Sequence, residues 1–249
     1  MNASRNPGAL PFLIELRLRL MYSLLVLFAL FAALGYVAND LYTLLALPLL
    51  KFLPQGHLIA TQLVSPFFVP FKLAFTASVF LAAPFFLYQL WSFISPALYG
   101  HERRMIWPFL LMSALLFYGG IAFAYFVVFP ALFHFLVNQA PQGVVFSPDI
   151  SEYLDLTLKL LMGFGALFEI PAVMVLLVSA GVLTRAQFIK KRSYAILGAF
   201  TLGMLLAPPD VLSQTILAVP IWLLYETGIV MSRWMGVKSA TKAIEFKAD

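Results

Sequence analysis

The chain is 249 residues long, 62% hydrophobic and 11% charged, with a formal net charge of +5 and no cysteine. A soluble domain carries roughly one-quarter charged residues, so this composition calls for a bilayer as solvent. Without cysteine, disulfides, thiolate catalysis and cysteine-ligated metal sites are excluded; the basic residues punctuate apolar runs and do not gather beside base-reading groups, which excludes a nucleic-acid surface.

A helix needs about 20 mostly apolar residues to cross the hydrocarbon core, with about 17 to 25 tolerated. The first such run is 20–37. Arg5, Arg17 and Arg19 precede it as they would in a secretory signal peptide, but further spans follow, so it reads as a first membrane helix. Runs at 73–93, 106–128 and 156–182 come next. Two shorter ones, 194–207 and 215–231, flank the turn Pro208-Pro209-Asp210 and read as a hairpin of two short helices. The first of these covers only about 20 Å against a core of about 30 Å, so either the bilayer thins there or neighbouring protein shields its ends.

Lys and Arg in short loops are retained on the cytoplasmic side. With the N-terminus inside, the cytoplasmic segments collect Arg5, Arg17, Arg19, Arg103, Arg104, Arg185, Lys190, Lys191, Arg192, Arg233, Lys238, Lys242 and Lys247, leaving Lys51, Lys72 and Lys159 for the other side. The expected fold is therefore all-α, a polytopic protein of six transmembrane helices with both termini cytoplasmic. Two long external segments, 38–71 and 132–155, contain six prolines and are expected to form short helices and turns. Pro84, Pro108, Pro130, Pro171 and Pro220 fall in or near spans, where neighbours can re-satisfy a kinked backbone, so a curved, concave bundle is expected. No internal repeat is visible, which argues against an inverted-repeat carrier.

Glu15 and Arg17 lie just before the first span, where an amphipathic lead-in with topology-setting arginines is the plain alternative to a binding role. Glu102 sits with His101, Arg103 and Arg104 between the second and third spans, although topology does not require a carboxylate there. If their helix ends adjoin, Glu15 and Glu102 suit a guanidinium ligand, because carboxylates accept charge-assisted, bidentate bonds from arginine. Glu169 stands deep in an apolar segment, before Ile170-Pro171. An ionisable group at such depth is costly and marks a functional site by default, with an internally hydrogen-bonded structural Glu as the alternative. Glu226 and Lys159 read as structural. His57, His101 and His134 are scattered and give no metal-ligand spacing, and neither a phosphate loop nor a nucleophile elbow is present. A proton-coupled transporter built on Glu169 and a membrane-embedded enzyme are the rival classes; the first lacks self-similar halves, the second a polar cluster at one depth.

The run Leu13-Ile14-Glu15-Leu16-Arg17-Leu18-Arg19-Leu20 and the longer Trp91-Ser92-Phe93-Ile94-Ser95-Pro96-Ala97-Leu98-Tyr99-Gly100-His101-Glu102-Arg103-Arg104 resemble signature motifs of the TatC family, subunits of the twin-arginine protein translocase. Ala38-Asn39-Asp40 with Pro48, Ser65-Pro66-Phe67-Phe68, Phe123-Ala124-Tyr125-Phe126, the stretch from Phe164 to Pro171, and Met204 to Asp210 followed by Ser213-Gln214-Thr215 resemble further segments of its proteobacterial branch. Phe12 departs from the histidine that many relatives carry there.

The resemblance implies one integral membrane domain over 1–249 in the inner membrane, a receptor for twin-arginine signal peptides of folded precursors, and no enzyme. It also implies partnership with TatA and TatB subunits, homo-oligomers within the receptor complex, and transport driven by the proton-motive force with no cofactor. Carried over by position, Glu15, Arg17, Phe93, Leu98, Tyr99, His101, Glu102, Arg103 and Arg104 would bind the signal peptide. Glu169 would be the intramembrane polar site. Pro48, Phe67, Tyr125, Met204, Leu205, Asp210 and Gln214 would be functionally sensitive or touch partner subunits.

Overall fold

The computed structural model describes the backbone of residues 9–37, 65–98, 106–138, 149–207 and 210–245, with side chains over 13–37, 67–93, 107–137, 149–207 and 210–233. The described residues form α1 (Ala9–Leu34, closed by a 3-10 turn at Gly35–Val37), α2 (Ser65–Leu98), α3 (Ile106–Phe123), α4 (Phe129–Asn138), α5 (Ile150–Leu167), α6 (Ile170–Ser179), α7 (Arg185–Lys190), α8 (Arg192–Leu206) and α9 (Val211–Glu245). Among the described residues five stretches are long and apolar enough to cross a membrane: Leu13–Val37, Phe67–Phe93, Trp107–Val137, Ile150–Ser179 and Val211–Arg233. The apolar Arg192–Leu206 is shorter.

Several helices begin before the apolar run that signalled them, although the 156–182 run ends as helix at Ser179. Counting apolar residues stops at a charge, whereas a helix continues through one that can reach water, so Glu15, Arg17 and Arg19 belong to α1 and Lys72 to α2. For the same reason, residues 65–71 and 150–155, expected among external turns, are the first turns of α2 and α5. The last helix is not short either: α9 runs 35 residues, its end carried by helix-favouring Ala, Lys and Glu. Only α8, at 15 residues, keeps the expected brevity.

Prolines and caps set the breaks. A π-helical turn, Ala124–Val128, joins α3 to α4 immediately before Pro130. Between α5 and α6 the chain turns at Phe168 and Glu169, and Pro171, which has no N–H, denies the Leu167 carbonyl its usual partner. Gly181, at φ 72°, ends α6 in the left-handed conformation, and Thr184 with Gln187 opens α7 through a capping box. Asp149 accepts the Ser151 N–H at 2.7 Å to start α5.

Association of membrane helices rests on close packing of small residues more than on apolar burial. A β-carbon on Gly120 of α3 would stand 2.5 Å from the Phe164 carbonyl oxygen of α5, and one on Gly228 of α9 would stand 2.5 Å from Met174 Sδ of α6. Around these approaches, Phe129, Leu132, Leu154, Phe164 and Leu217 are fully buried and tie α4, α5 and α9 into the main core. A second cluster, with Trp91, Phe109 and Val175, joins α2, α3 and α6. By contrast α1 buries none of its span and packs mainly along α2.

Candidate functional site

Glu15 and Arg19 lie one turn apart on α1, so their side chains meet on one face. Arg19 donates to Glu15 Oε1 from Nε at 3.0 Å and from Nη2 at 2.7 Å. Its Nη1 reaches across to α2, donating to Gln89 Oε1 at 2.9 Å. Both charged groups keep contact with solvent, 22% exposed for Arg19 and 48% for Glu15. Beside them, between α1 and α2, lies a groove of about 440 Å³, walled by Leu16, Leu20, Leu24, Phe86, Leu90 and Phe93. Arg19, Ser23 and Gln89 are its polar lining residues. Two sequence-predicted residues, Glu15 and Phe93, therefore meet at one structure, a carboxylate already holding a guanidinium at the end of an apolar slot.

On the opposite side of α2 lies a buried relay. The Trp91 indole N–H donates to Ser113 Oγ at 2.9 Å, and the Ser113 hydroxyl donates to Glu169 Oε2. Trp91 is 4% exposed and Ser113 fully enclosed. The other carboxyl oxygen, Glu169 Oε1, is buried with no hydrogen-bond partner among the described residues. Glu169 occupies this place because the helix breaks there: its backbone N–H turns back to Ala166 at 3.1 Å, and α6 resumes with Val173 N–H donating to the Glu169 carbonyl at 2.9 Å. Three helices thus converge on a single polar point inside apolar surroundings.

Asp210, on the turn before α9, accepts the Ser213 N–H at 2.7 Å and caps that helix. Gln214 Nε2 donates to the Phe200 carbonyl at 2.8 Å, stitching α9 to α8. Met204 and Leu205 project from α8, 54% and 66% exposed. Tyr125 lies in the π-helical turn against Phe126 and Phe129. Phe67 is exposed at the start of α2, its ring edge-on to Phe68 and tilted against Phe71. Arg17 is exposed on α1. Leu98 ends α2, its side chain outside the description; Tyr99, His101, Glu102, Arg103, Arg104 and Pro48 lie outside the described residues.

Glu226, read as structural, accepts from Arg192 Nη2 at 2.7 Å. Lys72 meets Asp155 at 2.8 Å near the other ends of their helices. Among the described residues no group of three or more His, Asp or Glu could hold a metal. Sequence reasoning missed Gln89, Ser113 and the indole of Trp91 as site residues. The available signal was a lone small polar or amide side chain inside an apolar helix, which in a membrane interior seeks a cross-helix partner.

The family described as Sec-independent protein translocase protein (TatC) matches residues 11–220. The Sec-independent protein translocase protein TatC of Escherichia coli is 53% identical over 223 residues, covering 89% of this chain and 86% of that protein. Its Haemophilus influenzae counterpart is 44% identical over 245 residues, 98% of this chain and 96% of that protein. A crystal structure described as the twin-arginine translocase receptor TatC superimposes with a TM-score of 0.82 at 38% identity, covering 90% of this chain and 99% of that chain.

Proposed function

The chain belongs to the TatC family of Sec-independent protein translocase proteins, and from that membership we propose that it is the twin-arginine signal-peptide receptor and core subunit of a translocase exporting folded proteins. The observation that carries this reading is Glu15, a carboxylate at the N-terminal end of the first span that already engages a guanidinium through two donors. Charge-assisted bonds of this kind are the strong class, and arginine is the side chain whose fork exploits them. A receptor for paired arginines needs such an acceptor, reachable from water and next to apolar surface.

In this reading Glu15 and Glu102 each take one arginine, with Arg17, Leu98, Tyr99, His101, Arg103 and Arg104 framing the cytoplasmic loop around them. The protein is a single integral membrane domain in the cytoplasmic membrane with six spans, α8 being the fifth and shortest. The excess of Lys and Arg in alternate loops supports cytoplasmic termini. Exposed Met204 and Leu205 on α8, with Gln214 and Asp210 fixing the hairpin beside them, suit a docking face for the single-span TatA and TatB partners. Pro48, Phe67 and Tyr125 are functionally sensitive positions. Glu169 supplies a polar contact at membrane depth, copies of the chain gather within the receptor complex, and the proton-motive force drives transport.

Binding of a fluorescent twin-arginine peptide to the full chain in lipid nanodiscs tests the assignment. Glu15→Lys and Glu102→Lys should each abolish discrimination between a paired-arginine peptide and its paired-lysine counterpart. Unchanged discrimination in both variants would sink the site.

A further inference from the structure

The groove between α1 and α2 has two chemically distinct parts, and their order along the membrane is informative. At one end stand Glu15, Arg19 and Gln89; from there Leu16, Leu20, Leu24 and Leu27 form a stripe along α1 facing Phe86 and Leu90 of α2. The stripe stays open, with Leu16 at 42% and Leu20 at 60% exposure. From Leu16 to Leu27 it covers about 16 Å at 1.5 Å per residue.

We propose that this groove seats the apolar stretch of the signal peptide as a helix lying along α1, its preceding arginines held at Glu15. The proposal rests on the receptor reading given above. An export signal presents positive charge first and then about 7 to 15 apolar residues. As a helix such a stretch is about 10 to 22 Å long, which brackets the groove. The groove repeats that order with complementary chemistry, carboxylate first and leucine stripe after.

Arg19 explains how the carboxylate can stay ready without standing bare. Its guanidinium is shared, two donors on Glu15 and one on Gln89, with the Gln89 backbone carbonyl at 3.5 Å from the same Nη1. When an incoming arginine takes Glu15, Arg19 moves wholly onto the side-chain and backbone oxygens of Gln89. No guanidinium is then left unpaired against the apolar wall, where desolvation would be costly. Arg19 is a placeholder for the ligand's arginine and Gln89 its alternative seat.

The test uses the full chain in nanodiscs and two labelled peptides, one with an arginine pair followed by about 12 apolar residues, the other with the pair alone. Ser23→Trp fills the groove a turn beyond Arg19, while Leu25→Trp places the same bulk on the outer face of α1, where Leu25 is 66% exposed. Ser23→Trp should weaken the long peptide about tenfold or more and leave the short one unchanged, with Leu25→Trp behaving as the parent; tenfold is the scale of losing one or two buried apolar contacts. Equal affinity of the long peptide for parent and Ser23→Trp overturns the groove assignment while leaving Glu15 as receptor. Failure of the parent chain to prefer arginine over lysine in either peptide overturns the receptor reading and the groove with it.

A photocrosslinker gives a second readout that does not depend on a filled groove. Placed at position 24 it should capture the apolar stretch of the long peptide, and placed at position 25 it should not. Capture of lipid or of a single-span partner from position 24, with the peptide bound, refutes the proposal.

Discussion

Replacing Ser113 by Ala removes the centre of the relay while keeping the helix. Two groups lose their partner at once: the Trp91 N–H, whose ring is 4% exposed, and Glu169 Oε2, whose companion oxygen already has none among the described residues. A buried polar group left unsatisfied costs about 1–3 kcal/mol in water-soluble proteins, and membrane-interior hydrogen bonds average about 0.6 kcal/mol with a ceiling near 1.7. For two groups the expected loss is therefore about 1–3 kcal/mol. Trp91→Phe keeps most of the ring contact with Phe109, whose centroid lies 6.0 Å away, and removes only the indole donor. The two changes should couple, because Trp91→Phe breaks a hydrogen bond in the parent but discards an orphaned donor in Ser113→Ala. Equilibrium unfolding of both singles and the double in bilayer mimetics should give a coupling of about 0.5–1.5 kcal/mol, favouring the double mutant over the sum. Additivity within about 0.3 kcal/mol would show that the Trp91–Ser113 hydrogen bond does not form in the bilayer-embedded protein.

Gly120→Ala drives a methyl group to 2.5 Å from the Phe164 carbonyl oxygen and should cost about 1–3 kcal/mol by thermal unfolding in detergent, whereas Gly119→Ala, with nothing within 4 Å, should cost nothing measurable. Asp210→Ala removes the acceptor for the Ser213 N–H and should destabilise the start of α9 by about 0.5–2 kcal/mol, seen as faster amide exchange over its first turn. Lys72→Ala and Asp155→Ala each break a half-exposed ion pair and should shift stability by less than about 1 kcal/mol, still less in high salt.

The spans were legible because hydropathy is additive along a segment, and Glu15 and Glu169 because a charge beside or inside an apolar run stands out alone. What stayed hidden depends on contacts between segments. Ser113 is almost silent in a hydropathy average, and Trp91 counts as apolar although its N–H anchors the relay. Gln89 gives no local hint that it faces Arg19, because the 70 intervening residues set that meeting. Pro171 announced a break, yet only the fold shows Glu169 on the broken turn, where the carboxyl can reach across to α3. The π-helical turn at Tyr125 escaped for a related reason: one extra residue in a helical turn leaves composition unchanged and shifts only the register. Helix ends were missed at charges, since a lysine or arginine that snorkels does not stop a helix.

The two polar assemblies share α2 and almost share a level. Gln89 and Trp91 are two residues apart, a rotation of about 200° and a rise of about 3 Å, so they leave the helix on nearly opposite sides at nearly equal depth. Gln89 faces α1 and the groove; Trp91 faces α3 and Glu169. Arg192 and Glu226 pair on α8 and α9 at the N-terminal end of α8, seven residues before the span's last residue, Arg233. In the proposed orientation these three assemblies fall toward the cytoplasmic side, and Lys72 with Asp155 toward the other. The ion pairs thus lie toward the ends of the described spans, near water, and Glu169 is the carboxylate held at greater depth, between Ser113 and the broken turn. A peptide entering along α1 would meet its charge partner in the first layer and apolar surface after it. The same helix that walls its groove carries, on its far side, the indole that fixes Glu169.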